Sequence, residues 1–195
     1  GDLTQSLNQY DSLTVVSDNT KWAIIPNYIE KTLENNGFID YNDTTGSNSI
    51  TANTWTTIPN NGLGSFSNNT YLPTGVTELL DVSNGSIDVS ELVLGDSILV
   101  RNDFTVNPNT NNALLEFRYM LGSGANQYTL STTVGRLDDG SGKDYRFSLT
   151  PDLIYMGDNN TKDNPIFIQI RLSSNGTFNN AGSVIQTIKR DINIT

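Results

Sequence analysis

The sequence predicts an all-β protein, an antiparallel β-sandwich of the jelly-roll type with one short N-terminal helix. Two runs of alternating apolar and polar residues between Ser86 and Leu121 indicate half-buried strands. Beyond residue 49 the strand patterns recur at short intervals, turn residues separate them, and no helical pattern lies between them. Eight or nine short strands in this arrangement favour a sandwich or barrel, and a jelly roll limits the exposed edges of such a sheet.

The two alternating runs are the strongest pattern in the chain. One face of the first run carries Ile98, Val100, Phe104 and Val106, with Asn102 as its single polar interruption. One face of the second run carries Leu115, Phe117, Tyr119 and Leu121. A loop rich in Asn, Thr and Pro separates the runs, so we expect them to form a pair of antiparallel strands.

Residues 1–45 are predicted to form a connector. A short strand is expected at Leu13–Val16, and a helix at about residues 26–36. Pro26 is a residue that is common in the first turn of a helix, and Asn36-Gly37 can adopt the left-handed conformation that ends one. The polar segment at residues 42–49 is a flexible joint, so the sandwich domain is expected to occupy residues 46–195.

The remaining strands follow from β-branched and aromatic runs bounded by turn residues. They are expected at Ile50–Ile58, Thr77–Leu80, Ser97–Val106, Leu114–Leu121, Gln127–Val134, Tyr145–Leu149, Leu153–Met156, Ile166–Leu172 and Val184–Ile192. The Asp-rich stretches 138–144 and 157–163 fit solvated turns better than calcium loops, because they do not meet the EF-hand spacing.

Composition and charge exclude several classes of function. The chain has no His and no Cys, which removes Ser-His-Asp and Cys-His catalysis and thiolate metal sites. Its net charge of −10 disfavours nucleic acid and anionic membranes as partners. No apolar run is long enough to span a membrane, so membrane insertion is not expected. The sequence predicts neither a catalytic residue nor a cofactor nor a metal site.

Aromatic and amide side chains provide the candidate binding residues. A Trp or Tyr exposed beside Asn-rich loops would form a sugar-binding surface, so Trp55, Tyr71, Asn109 and Asn111 are the candidate ligand-binding residues. Four aromatic residues in strands, Phe117, Tyr119, Tyr145 and Phe147, are the candidates for an interface between subunits. Burial in the domain's own core is the alternative for each of them.

Two motifs resemble the jelly-roll domains of bacteriophage virion proteins, the surface fibre, tail and capsid-attached proteins whose architecture is similar to the trimeric tumour-necrosis-factor-like fold. The first motif is L-x-x-G-D-x-I-x-V-R, carried by Leu92, Gly95, Asp96, Ile98, Val100 and Arg101. The second is Y-M-G-D followed by an N-P strand entry, carried by Tyr155, Met156, Gly157, Asp158, Asn164 and Pro165. The stretch 50–62 looks like the usual first strand of such domains, but the final strand lacks the aromatic residues that often face the trimer axis.

The resemblance implies a non-enzymatic virion structural protein on the particle surface, a homotrimeric tail-fibre or receptor-binding head domain. Its partners would be other virion proteins and a host cell-surface glycan or receptor. Two alternatives stay open at this point. One is a capsid-decoration or head-fibre protein, and the other is a module that binds carbohydrate or depolymerises polysaccharide.

Overall fold

The chain forms two compact units, Gly1–Leu33 and Glu34–Thr195. The computed structural model describes residues 13–17, 22–26, 35–139 and 142–190. In the first unit, β1 (Leu13–Ser17) pairs antiparallel with β2 (Trp22–Pro26), which confirms the strand expected at Leu13–Val16. Most of the helix expected at residues 26–36 lies outside the described residues, and its two ends belong to strands.

The second unit is built from short antiparallel strands. They are β3 (Asn36–Asn42), β4 (Ser47–Ile50), β5 (Thr56–Thr57), β6 (Asn68–Tyr71), β7 (Leu80–Asp81), β8 (Ser86–Ile87), β9 (Ser97–Pro108), β10 (Ala113–Leu121), β11 (Tyr128–Leu137), β12 (Tyr145–Ser148), β13 (Asp152–Tyr155), β14 (Phe167–Leu172) and β15 (Gly176–Ile188). A 3₁₀ turn (Gly124–Asn126) and helix α1 (Asn159–Lys162) complete the described elements.

Two sheets pack face to face and confirm the predicted β-sandwich. One sheet has the order β11-β10-β14-β5. The other has the order β12-β9-β15-β3-β6, with β13 also on β9 and β4 also on β15. The chain changes sheet between β9 and β10, between β11 and β12, and on both sides of β14, as a jelly roll requires. The small β7–β8 pair is separate.

The alternating runs supply the two facing layers of the core. Inward positions of β9 and β10 are buried along their whole length, while the positions between them are half-buried. The rings of Phe104 in β9 and Phe117 in β10 stack across the sandwich, with centroids 6.0 Å apart. Burying one apolar face of each sheet against the other is the main source of stability in this architecture.

The expected pairing of these two strands is wrong. β9 bonds to β12, β13 and β15, whereas β10 bonds to β11 and β14. Each strand has only one apolar face, and that face can be buried either from neighbouring positions in one sheet or from opposite sheets, so the alternation does not distinguish the two arrangements. Because β9 and β10 lie in different sheets, the loop between them connects the sheets and does not close a hairpin.

Two other expectations are corrected by sheet membership. The stretch expected as one strand at Ile50–Ile58 divides into β4 and β5, which lie in different sheets. Asn53 adopts a positive φ of 58° between them, where the chain turns from one sheet to the other. β3 pairs along β15 from Asn42 to Asn36, so the described part of the sandwich already includes residues before the boundary expected at residue 46.

The two motifs that carry the family resemblance meet in space. The Gly95 N–H donates to the Met156 carbonyl at 2.9 Å, and the Met156 N–H donates to the Asp96 carbonyl at 2.8 Å. The Asp96 side chain is fully buried and accepts from the N–H groups of Val93 and Arg190, at 2.9 and 2.8 Å. These motifs tie the entry of β9, the end of β13 and the C-terminal strand together, so their role is structural.

The Asp-rich stretches differ from each other. The stretch at 157–163 contains helix α1, whose N–H at Thr161 is capped by the Asp158 carboxylate at 2.7 Å, so the expected turn is a short helix. In the other stretch, Lys143 pairs with Asp139. No three acidic side chains of the described residues converge closely enough to hold a metal ion. No helix in the described part of the chain is long and apolar enough to cross a membrane.

Candidate assembly surface

A lateral row of side chains crosses five strands on the outer face of the seven-stranded sheet. Leu153 in β13 lies opposite Leu99 in β9. Leu99 lies opposite Gln186 in β15, which in turn lies opposite Phe38 in β3. Phe38 lies opposite Tyr71 in β6. We call these five residues the outer-face row. In the other four strands these positions alternate with buried residues, whereas all four residues of β6 are exposed.

The outer-face row leaves a large apolar area in contact with solvent. Leu153 is 56 % exposed, Phe38 49 % and Tyr71 56 %, and Tyr155 beside the row is 64 % exposed. The three aromatic rings alone expose on the order of 300 Å². An apolar patch of this size is comparable to the largest one on a typical folded monomer, and such patches are often functional.

One end of the row is an aromatic groove. Phe38 and Tyr71 stack with ring centroids 5.5 Å apart. A shallow cavity of about 260 Å³ lies beside them and is also lined by Asn36, Gly37 and Gln186. A rigid aromatic pair next to a groove is a typical anchor point of a protein interface.

Charged residues border the row on one side. Arg101 lies opposite Val184, which lies opposite Asp40, and the Arg101 guanidinium contacts the Asp103 carboxylate at 2.9 Å. Burial raises the pKa of Asp40; the Arg101 guanidinium opposes this rise and Asp103 adds to it. The second carboxylate oxygen of Asp103 is buried without a protein partner. An apolar centre with a charged border is the usual composition of a subunit interface.

The four residues predicted to bind a ligand are divided between the two sheets. Tyr71 belongs to the outer-face row, whereas Trp55 precedes β5 and lies against the outer face of the four-stranded sheet. Asn109 and Asn111 are exposed in the loop between β9 and β10. The Asn109 N–H donates to the Asn175 carbonyl at 2.9 Å, and the Asn175 side chain accepts from the Ala52 N–H, also at 2.9 Å. The loop therefore lies near the start of β15, close to the segment that leads into Trp55. Tyr71 lies near the other end of β15, opposite Phe38, which is itself opposite Gln186.

The aromatic residues predicted for an interface are mostly internal. Phe117 and Tyr119 are each 1 % exposed, so they pack in the core of one chain and have no surface to offer a second one. Tyr145 and Phe147 are half-buried and pack against the core, Phe147 with its ring 5.5 Å from that of Phe104. The prediction for Phe117 and Tyr119 is wrong because they occupy the inward positions of β10. Tyr145 and Phe147 stay candidates at the edge strand β12.

Sequence reasoning missed the residues that the structure exposes. Leu153, Ile154 and Tyr155 are three consecutive apolar residues in a strand, and only alternate residues of a strand can face one core. Ile154 is buried, so its two neighbours point outward. This run was the available signal. Phe38 gave none, because its segment was expected to follow a helix.

Comparisons with known proteins give the following. No family model and no curated protein matches the chain. Among solved structures it is similar to a chain of the infectious bursal disease virus Gx strain, at 12 % identity and a TM-score of 0.43, covering 96 % of this chain and 41 % of that one. It is similar to Eiger TNF from S. frugiperda at 8 % identity and a TM-score of 0.42, covering 84 % and 98 %. It is similar to the VP2 subviral particle of infectious bursal disease virus at 13 % identity and a TM-score of 0.40, covering 92 % and 37 %.

The chain thus spans about two fifths of the length of the viral chains to which it is similar. Identities this low do not transfer a function. The function of this chain has to be inferred from its own residues.

Proposed function

We propose that this protein is a non-enzymatic structural subunit of a virus particle that self-associates, as a homotrimer, through the outer-face row. The observation that carries the proposal is the row itself. Leu153, Phe38 and Tyr71 are exposed and Leu99 between them is half-buried, so they form an apolar strip that only Gln186 interrupts. A second copy would remove this strip from water. The gain scales with the apolar area buried, at about 25 cal/mol per Å².

The size of the surface supports an interface between copies. A specific interface buries about 800 Å² on each partner. Phe38 and Tyr71 of the row, together with Tyr155 beside it, provide on the order of 300 Å². The half-buried outward residues Val184 and Ile188 in β15 extend the apolar centre toward that size. The border of Asp40, Arg101 and Asp103 supplies the polar rim that such interfaces carry.

Placement on a virion is supported by the motif resemblance and by composition. The two structural motifs, Leu92–Arg101 and Tyr155–Pro165, form one junction in the fold and not a catalytic centre. A chain without Cys requires no particular redox conditions, and a net charge of −10 keeps a protein displayed in many copies soluble and away from nucleic acid. Tail fibre, head fibre and capsid decoration are three placements of the same kind of subunit, and the trimeric tail-fibre or receptor-binding head is the one we propose.

Mass measurement of the full chain tests the proposal. Sedimentation velocity at micromolar concentration is expected to give the mass of three copies of a 21.4 kDa chain. The double variant Leu153→Ser, Tyr155→Ser is expected to shift the distribution to monomer while its circular dichroism spectrum stays that of the folded chain, because both side chains are more than half exposed. Its thermal midpoint is expected to fall only by what association contributes at that concentration.

The matched control is Phe66→Ser. Phe66 is 79 % exposed and lies near Asn42, at the opposite end of β3 from the row. This variant removes an exposed aromatic ring outside the row and is expected to remain a trimer. A wild-type chain that is monomeric at every concentration tested would refute the proposal.

A module that binds or cleaves polysaccharide is the second candidate. Hydrolysis of a glycosidic bond needs two carboxyl groups beside the substrate, one of them protonated. Asp40 and Asp103 flank Arg101, and the pKa of Asp40 is raised. An assay of reducing ends released from a panel of capsular polysaccharides tests this candidate, and cleavage that is abolished by Asp40→Asn would favour it over the structural subunit.

A further inference from the structure

The outer face of the four-stranded sheet carries two arginines under one tryptophan. The guanidinium carbon of Arg118 lies 4.1 Å from the centroid of the Trp55 ring, and that of Arg171 lies 5.0 Å away. Glu116 is opposite Arg171, and Arg118 is opposite Gln169, so both arginines leave the same face of the sheet. We call Trp55, Arg118 and Arg171 the arginine platform.

The two arginines differ in how their charge is balanced. Arg171 donates from Nε to the Glu116 carboxylate at 2.7 Å. Arg118 donates from Nε to the neutral amide oxygen of Gln169 at 2.8 Å. Within the described part of the chain no carboxylate lies within 4.0 Å of the Arg118 guanidinium. Its terminal nitrogens are therefore free to donate to an anion from outside the chain.

The surroundings increase the affinity of Arg118 for an anion. Burial lowers the pKa of Arg118, and the Arg171 guanidinium lowers it further, so the cation is held in an unfavourable place. A bound carboxylate would offset the repulsion from Arg171 and would supply hydrogen bonds in place of the water that burial removes from Arg118. The planar fork of a guanidinium donates two parallel hydrogen bonds to a carboxylate, and these are stronger than bonds between neutral groups.

Hydroxyl groups continue the platform on the neighbouring strand. Ser131 in β11 lies directly opposite Arg118, with Thr133 opposite Glu116 and Thr129 opposite Met120. All three hydroxyl residues are exposed. The stacked tryptophan and arginines and a strip of hydroxyl groups therefore lie next to each other on this face of the sheet.

We propose that the arginine platform binds a carboxylated sugar, such as a hexuronate or sialate-type residue of a surface glycan. The Arg118 guanidinium binds the carboxylate, the apolar face of the pyranose packs on Trp55, and the hydroxyl groups of Thr129, Ser131 and Thr133 bond to the sugar hydroxyls. A polyanion such as nucleic acid or polyphosphate is disfavoured because the net charge of −10 repels it. A single carboxylate needs only the Arg118 guanidinium, whose charge no carboxylate of the described residues balances.

This inference rests on the proposed function in one respect: it names the class of ligand that the proposed receptor contact would bind. The two are distinguishable by experiment. A protein that assembles and binds no sugar contradicts only the platform, and a monomer that binds contradicts only the assembly.

Binding of two matched probes to the full chain tests the platform. Methyl β-glucuronide and methyl β-glucoside differ only in the carboxylate, and saturation-transfer NMR with titration measures both at low salt. We expect the glucuronide to bind at least about tenfold more tightly, with the difference shrinking as salt is added. In Arg118→Gln the two probes are expected to bind equally weakly, and Arg118→Lys, which keeps the charge and loses the fork, is expected to fall between.

Arg146→Gln is the matched control, because Arg146 is an exposed arginine on the other sheet. It removes the same charge and is expected to leave the preference for glucuronide unchanged. Three results would overturn the inference: equal binding of the two probes by the wild-type chain, an equal loss in Arg146→Gln, or acetate that binds as tightly as the glucuronide.

Discussion

The buried hydroxyl of Tyr119 offers a direct test of how the two sheets are held in register. This hydroxyl accepts from the Asn102 side-chain amide at 2.7 Å and donates to the Val100 carbonyl at 3.2 Å. The oxygen of Asn102 accepts from the Ser183 hydroxyl at 2.7 Å. Burial raises the pKa of Tyr119, so the hydroxyl stays protonated and keeps this bonding pattern at any ordinary pH.

The substitution Tyr119→Phe removes two hydrogen bonds and leaves the ring in place. The Asn102 amide is 1 % exposed, so water cannot replace its lost acceptor. An orphaned buried donor costs about 1–3 kcal/mol, and loss of the second, longer bond about 1 kcal/mol. We expect the free energy of unfolding to fall by about 2–4 kcal/mol, which lowers the melting temperature by roughly 5–12 °C.

Removing the whole network is expected to behave differently. In the triple variant Asn102→Val, Tyr119→Phe, Ser183→Ala no unpaired polar side chain remains, and apolar groups fill a similar volume. Such replacements are close to neutral, so the triple variant is expected to be within about 1 kcal/mol of the wild-type chain.

Urea unfolding followed by fluorescence and circular dichroism measures both variants, with the m-value showing whether unfolding remains two-state. A loss below about 0.5 kcal/mol in the single variant would refute the reasoning. So would a triple variant that is less stable than the single one, because the cost would then come from packing and not from an unpaired donor.

Three further predictions concern the sandwich itself. Burial raises the pKa of Asp152 above its ordinary 3.8, so the ionised carboxylate makes folding less favourable. Asp152→Asn is therefore expected to raise the melting temperature at pH 7. At a pH well below 3.8 the carboxyl group is protonated in both the folded and the unfolded chain, so the substitution is expected to have no effect there. Gly182→Ala is expected to lower the free energy of unfolding in urea by more than about 3 kcal/mol, because φ is 139° and a Cβ atom would lie 2.2 Å from the Tyr41 carbonyl oxygen. Gly135→Ala is the comparison: φ is 153° but the space around it is open, so the loss should be about 1–2 kcal/mol. Asp158→Ala removes the cap of helix α1 and is expected to cost about 1 kcal/mol; no change in melting temperature would contradict the capping role.

Many of the strands were predictable, because the alternation of apolar and polar residues shows which side chains lie on the same face of a strand. The pattern of Ile98, Val100, Phe104 and Val106 predicted the buried side of β9, and the polar interruption at Asn102 is the buried member of the side-chain network. β6 was missed because Asn68–Tyr71 is exposed and has no apolar alternation. β3 was missed because its first two residues, Asn36 and Gly37, look like the stop of a helix that begins at Pro26.

The candidate sites were less predictable. Trp55 was singled out as a binding residue, but its partners Arg118 and Arg171 are more than 60 residues away in the sequence, and only sheet pairing brings them under one ring. Phe117 and Tyr119 look as suitable for an interface as Phe38 and Tyr71 do. An aromatic residue in a strand has no local mark that shows whether the other side of its sheet is covered.

The sequence by itself determined that the chain is an antiparallel β protein without histidine or thiol chemistry, and which side of its longest strands is apolar. Only the tertiary structure decided that β9 and β10 lie in opposite sheets, that β3 joins the sandwich, and that one apolar row remains exposed. The physical reason is that side-chain alternation is local, whereas backbone hydrogen bonds are the same for every residue type. The choice of neighbouring strand, and therefore which outward faces stay uncovered, depends on how all the strands together bury their apolar sides.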